Sequence, residues 1–245
     1  AMLEALAPKD LHDTKLAVLE DALSAVEPAP LTDTYVNYIL NPRIDFEFLQ
    51  PYRTVIRQTL GAELGAAPSA TQIIEWVKTN IKTADEYNPI QILSTPAGVL
   101  RLRRADSLSR EIFFVAACRA FGVASRMSSM SGMPQYLGEN GWVDVMLDGD
   151  VAEREARRGA IRTIYDPRIV PAIPTPTYYT HCSISKIENG RLRAIRFDSN
   201  LKNDLGATAD PSLLAEHIEL DEGHYILTTG NRMASGKILA RVVTF

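Results

Sequence analysis

Apolar positions recur every three or four residues from Leu11 to about Val26, in "LHDTKLAVLEDALSAV", and predict an amphipathic helix that the proline-rich "EPAPL" ends. The next stretch, "TDTYVNYILNPRIDFEFLQPYRTVIRQTLG", predicts two helices divided around Asn41-Pro42, with Gly61 just past the second. In "SATQIIEWVKTNIKT", Ser69 or Thr71 supplies the cap of a fourth helix, and Ile73, Ile74, Trp76, Val77 and Ile81 lie along one face. The turn-rich "NPIQILSTPAGV" leads into "ADSLSREIFFVAACRAFG", Ala105 to Gly122. Almost every residue from Leu108 to Phe121 is apolar and the polar positions gather at the head, so this helix is expected to be surrounded by protein. Either Asp106 or Ser107 caps it.

After Arg126 the period changes. "GWVDVML" alternates, with Trp142, Val143, Val145 and Leu147 flanking acidic Asp144, and predicts a strand. The charged insert "DGDVAEREARRGA" reads as a short surface helix before "IRTIYDP", and "PAIPTPTYY" reads as an extended linker. Asn189-Gly190 between two alternating segments is a hairpin signal, and "GHYILTTGNRMASGKILARVVTF" repeats the theme with glycine-rich turns. The fold class expected is therefore α+β. Residues 1–170 form a helical domain with a mixed core, and residues 171–245 form a small antiparallel, sandwich-like β module. Its roughly five strands are few for a full sandwich, so the chain is expected either to stop at a domain boundary or to omit part of a larger protein. Neither an internal repeat nor a low-complexity tract interrupts this order.

Composition narrows the partners. Twenty-six basic against 30 acidic residues give a net charge of −4 over 245 residues, which is no footprint for nucleic acid or an anionic membrane. The longest apolar run falls far short of the roughly 20 residues needed to span a bilayer. The opening "AMLEALAPKD" has neither a basic nor an apolar leader region, and Ala1 before Met2 reads as a cloning remnant on an excised segment. Two cysteines, Cys118 and Cys182, are too few for a disulfide framework, and Cys118 lies in the apolar run as a small buried hydrophobe. His12, His181, His217 and His224 stand far apart, without the short paired spacings of zinc sites, so neither metal nor cofactor is expected.

The run "CRAFGVASR", Cys118 to Arg126, resembles the segment that closes the central helix of transglutaminase-like and papain-like cysteine enzymes. Counting back from Gly122 by the 15 residues that separate this glycine from the family's nucleophilic cysteine lands on Ser107. Further on, "NGWVDV" is similar to the family's strand His-Ala-Trp-Val-Glu-Val, with Trp142, Val143 and Asp144 matching but Asn140 in the histidine position. Asp166 in "YDP" takes the place of the family's third member. The resemblance covers about Thr71 to Pro167 and implies a transglutaminase-like core. The whole chain is also similar to large bacterial extracytoplasmic proteins in which such a domain precedes a β module, which implies a periplasmic or cell-surface location.

What the resemblance puts at the site is an alcohol and an amide where the family has a thiol and an imidazole. Serine needs a general base, and Asn140 cannot take a proton near neutral pH. Loss of one essential triad member costs on the order of 10⁶ in turnover in a serine protease. The reading that follows is a degenerate, non-catalytic domain acting as a binding or scaffolding module for a protein, peptide or glycan ligand. The alternative is a serine-dependent hydrolase or acyltransferase using Ser107 with a base not evident in the sequence. A third reading makes both halves structural spacers. Groove candidates are Arg103, Arg104 and Arg110 near the helix head, with Gln135, Tyr136 and Trp142 on the strand side.

Overall fold

The structure, a computed structural model, describes residues 1–24, 29–90, 92–128, 131–148, 153–154, 158–162, 178, 180–188, 190–195 and 218–245. Two compact units divide the chain: Ala1–Ser128 with Met133–Glu155, and Ser129–Gly132 with Ala156–Phe245. The boundary expected at residues 170 and 171 lies outside the described residues.

The first unit opens with α1 (Met2–Ala5), α2 (Pro8–Asp13) and α3 (Leu16–Ser24). The apolar run expected as a single helix from Leu11 is thus broken, with Thr14 extended between α2 and α3. A polar burial that a hydrophobic pattern does not register fixes α2: Asp10, 3% exposed, receives the Arg43 guanidinium, whose Nε lies 2.8 Å from its Oδ2. The expected end near Val26 lies outside the described residues. A short helix, α4 (Asp33–Tyr35), runs on as a π turn over Val36–Leu40 and stops at Asn41, where the following Pro42 forces extended backbone. Then comes α5 (Arg53–Leu64), which ends at Gly65, φ +91°; the expected stop, Gly61, lies inside it.

Sequence pattern and structure coincide at α6 (Ala70–Asn80). Ser69, not Thr71, caps it in a reciprocal box: the Gln72 N–H donates to Ser69 Oγ at 3.2 Å and the Ser69 N–H donates to Gln72 Oε1 at 2.9 Å. A two-residue strand, β1 (Lys82–Thr83), a single 3₁₀ turn over Asp85–Tyr87, and α7 (Pro96–Leu102) lead to β2 (Arg104–Ala105), which pairs parallel with β1.

At the centre lies α8 (Ser107–Ala120), with Ile112 through Cys118 at 0% exposure. Ile56 and Leu60 of α5, Ile73, Ile74 and Val77 of α6, and Val99 of α7 share its core. Burying each such side chain contributes about 1.5–3 kcal/mol, which is why a helix with no polar face is stable here. Gly122, φ +77°, closes α8: its N–H donates to the Arg119 carbonyl at 3.1 Å while the Val123 N–H donates to the Cys118 carbonyl at 2.9 Å. Only glycine takes that left-handed position without a Cβ clash.

Strands β3 (Ser125–Met127), β4 (Pro134–Gly138), β5 (Gly141–Val145) and β6 (Glu153–Arg154) follow as an antiparallel sheet in that order. Here β5 is the strand read from "GWVDVML". The charged insert expected as a surface helix instead supplies β6, because Val145 and Asp144 of β5 offer an open edge to pair with.

The second unit holds β7 (Arg158–Ile161), β8 (Cys182–Glu188), β9 (Arg191–Ala194), β10 (Ile218–Asp221), β11 (Tyr225–Arg232) and β12 (Ile238–Thr244). Strands β12, β11, β8 and β9 form one antiparallel sheet in that order, and β10 pairs with β7. The β8–β9 hairpin turns through Gly190, φ +74°, where the sequence placed it; Asn189 lies outside the described residues, as does "PAIPTPTYY" apart from Tyr178. Tyr178, fully buried, donates its hydroxyl to the Ile195 carbonyl at 2.6 Å and accepts from the Ile184 N–H at 2.9 Å, pinning a small core with Leu220 and Tyr225. The molecule is thus α+β, with antiparallel sheets apart from the short parallel β1–β2 pair. Among the described residues no helix is long and apolar enough to cross a membrane.

Candidate functional site

The mouth of α8 is built by two carboxylates. Asp106 is the N-cap: its Oδ1 accepts the Ser109 N–H at 2.9 Å, and its Oδ2 accepts the Ser109 hydroxyl at 2.7 Å and an Asn88 amide N–H at 2.9 Å. Ser107, the first helical residue, is held by Asp85 instead. Its N–H donates to Asp85 Oδ1 and its hydroxyl to Asp85 Oδ2, each at 2.7 Å. A helix start carries unpaired N–H groups and about half a positive charge. Asp85 and Asp106 satisfy both at once, so the two alternatives read from the sequence resolve into a cap at Asp106 and a capped serine at 107.

The loop before α7 is tied down beside this mouth. Asn88 exchanges two bonds with Ile92, at 2.9 and 3.0 Å, and the Ser94 N–H donates to the Ser109 hydroxyl at 2.9 Å. Arg110, 4% exposed, lies one turn further in. Its Nη1 reaches Thr83 Oγ1 at 3.0 Å and Asp148 Oδ1 at 2.6 Å, so this arginine is paired inside the fold and is not a groove residue.

Asn140 is exposed in the turn that joins β4 to β5 and makes no hydrogen bond to Ser107, whose two polar groups both bond Asp85. Asp166 lies outside the described residues. Gln135 is fully buried and donates to Asp144 Oδ1 at 2.6 Å while accepting from Arg126 Nε at 2.9 Å, a polar chain running across β3, β4 and β5. Tyr136 is half-buried against the core. Trp142, also half-buried, lies 4.0 Å under the Arg126 guanidinium and edge-on to Tyr38. These three side chains are packed in or on the sheet, away from the groove lining.

Arg103 and Arg104 do line a groove. It has a volume of about 650 Å³ and its walls include Asn80, Lys82, Tyr87 and Asp106. Arg103 ends α7 in the left-handed region, φ +54°, with its guanidinium 4.5 Å over the Trp76 ring and its Nη2 4.0 Å from Glu63. Arg104 lies 5.5 Å from the Tyr87 ring.

Cys118 is fully buried, and burial pushes its thiol well above the ordinary range, with Arg119 beside it opposing only in part. It is an inert packing residue. Among the described residues no three His, Cys, Asp or Glu side chains gather to hold a metal ion. Sequence reasoning missed Asp85 and Lys82. A cap drawn from the neighbouring helix residues has a local signature, whereas Asp85 stands 22 positions before the serine it holds. No protein-family model, curated protein or solved structure matches this chain.

Proposed function

We propose that the chain has a transglutaminase-like frame without the family's chemistry, and that it serves as a binding or scaffolding module of a larger bacterial envelope protein, in an extracytoplasmic compartment. The observation that carries this reading is the bidentate grip of Asp85 on Ser107. Attack on a carbonyl needs an activated nucleophile and donors aimed at the oxyanion that forms. At this helix mouth the Ser107 and Ser109 N–H groups are already paired, and the charges facing the reacting centre are two carboxylates, which repel a developing oxyanion. The buried α8, its Gly122 terminator and the antiparallel strands after it support the frame; the groove lined by Arg103 and Arg104 supports binding of a protein, peptide or glycan.

The same contact also favours the second reading, a serine-dependent hydrolase or acyltransferase, because Asp85 is a proton acceptor on the Ser107 hydroxyl. Chemistry weighs against it. A carboxylate is a far weaker base than an alkoxide and holds a proton from an alcohol poorly, and among the described residues no imidazole stands beside the pair. A labelled glutamine peptide with an amine acceptor, run beside a panel of peptide esters, is expected to give no turnover. Turnover abolished by Ser107→Ala would reject the non-catalytic reading.

A further inference from the structure

We propose that the groove beside α8 binds an acidic peptide segment, its carboxylates seated on Lys82, Arg103 and Arg104. This deepens the binding-module reading and rests on it. Strands β1 and β2 put Lys82 and Arg104 directly opposite each other, two cations in register on a two-residue ladder. Like charges so placed repel and destabilise the pair unless an anion lies between them. Nothing in the described structure supplies one: the Lys82 ammonium and the Arg104 guanidinium are exposed, and neither has a carboxylate partner.

Arg103 adds a third cation at higher conformational cost. A non-glycine residue in the left-handed region is strained by about 1 kcal/mol, and the strain turns this side chain across Trp76. There its Nη1 is buried without a hydrogen-bond partner, although Glu63 approaches Nη2 at 4.0 Å. Among the described residues lining the groove the acidic one is Asp106, and both its oxygens are bonded to Ser109 and Asn88. The lining therefore sets three cations against one carboxylate, an excess of positive charge.

Two features favour a peptide over a sugar acid. Sugars are gripped by open aromatic faces, and Tyr87, the aromatic residue among the described groove lining, already has the Arg104 guanidinium 5.5 Å from its ring. The β1–β2 pair is two strands wide among the described residues, and an extended chain adds to a sheet at such an edge. The groove volume of about 650 Å³ suits a few residues of such a chain.

The test is titration calorimetry on the full chain with a blocked peptide alternating Glu and Gly, against its Gln counterpart, inorganic phosphate and an oligogalacturonate. Saturable binding of the Glu peptide alone is expected. Lys82→Gln and Arg104→Gln should each weaken it about tenfold, the worth of one charge-assisted bond. Both residues are exposed, and circular dichroism checks that the fold is kept. Should a variant misfold, a salt titration of the unaltered chain decides: affinity falling with salt supports the proposal, and indifference to salt overturns it. It is also overturned by no binding of the Glu peptide, by equal binding of the Gln peptide, by phosphate or uronate binding in its place, or by undiminished affinity in the double variant. Turnover at Ser107 would reject the non-catalytic reading while leaving this binding result intact; absent peptide binding with an inert Ser107 would reject only the proposal made here.

Discussion

Asp85 decides what the first turn of α8 can do. As an acceptor of both the N–H and the hydroxyl of Ser107, it works as a tertiary cap, and capping interactions of this kind are worth about 1 kcal/mol. Asp85→Asn is therefore expected to lower unfolding free energy by about 1 kcal/mol in a urea titration, since an amide keeps one acceptor but loses the charge facing the helix dipole. A neutral effect would mean that the contact is incidental. Cys118 makes a separate prediction: with its thiol buried and its pKa raised, it should resist a disulfide reagent in the native chain and react once the chain is unfolded in denaturant. Rapid native labelling would contradict its packing role. At this scale the sequence was half legible. A cap at Asp106 or Ser107 and the buried Cys118 follow from neighbours within one turn, but the grip of Asp85 on Ser107, which decides between the two, arises only when residues 22 apart meet.

Helix α5 shows the same limit one level up. Its start carries no local cap; Asp21 of α3 reaches across instead, accepting the Tyr52 and Arg53 N–H groups at 2.8 Å each, and the Thr54 N–H and hydroxyl at 3.0 and 2.6 Å. Burial alone lifts the Asp21 pKa, but these four bonds outweigh it and hold the carboxyl below its ordinary 3.8. A folded pKa below the unfolded one stabilises the fold at neutral pH, and that contribution is lost as pH falls through the folded value. The stability gap between the natural chain and Asp21→Asn is thus expected to shrink between about pH 5 and about pH 3, followed by thermal melts. A gap that is constant with pH would contradict the cap. By contrast α6 was largely legible, its cap narrowed to Ser69 or Thr71 because the capping partners are three residues apart, although Ile81, read as part of its apolar face, is the extended residue that ends it. Strand β4 was not read, since Pro134 and Gly138 interrupt its pattern, and β6 was read as helix because charge density says nothing about an open sheet edge.

For the molecule as a whole, the change from a 3.6-residue to a two-residue period past Arg126 was enough to read α+β, and the hairpin glycine at 190 was enough to place part of the second unit. The groove was out of reach. It depends on β1 meeting β2 in parallel register, and two-residue strands leave no periodic trace, so Lys82 escaped notice while Arg104 was read as one of several candidates. The account rests on one chemical statement, that the hydroxyl at the head of the buried helix is held as a structural donor and is not a nucleophile. The most direct measurement is reaction of the intact chain with a fluorophosphonate probe, mapped by mass spectrometry. No adduct on Ser107 is predicted; a stoichiometric adduct there, lost in Ser107→Ala and in Asp85→Asn, would contradict the account.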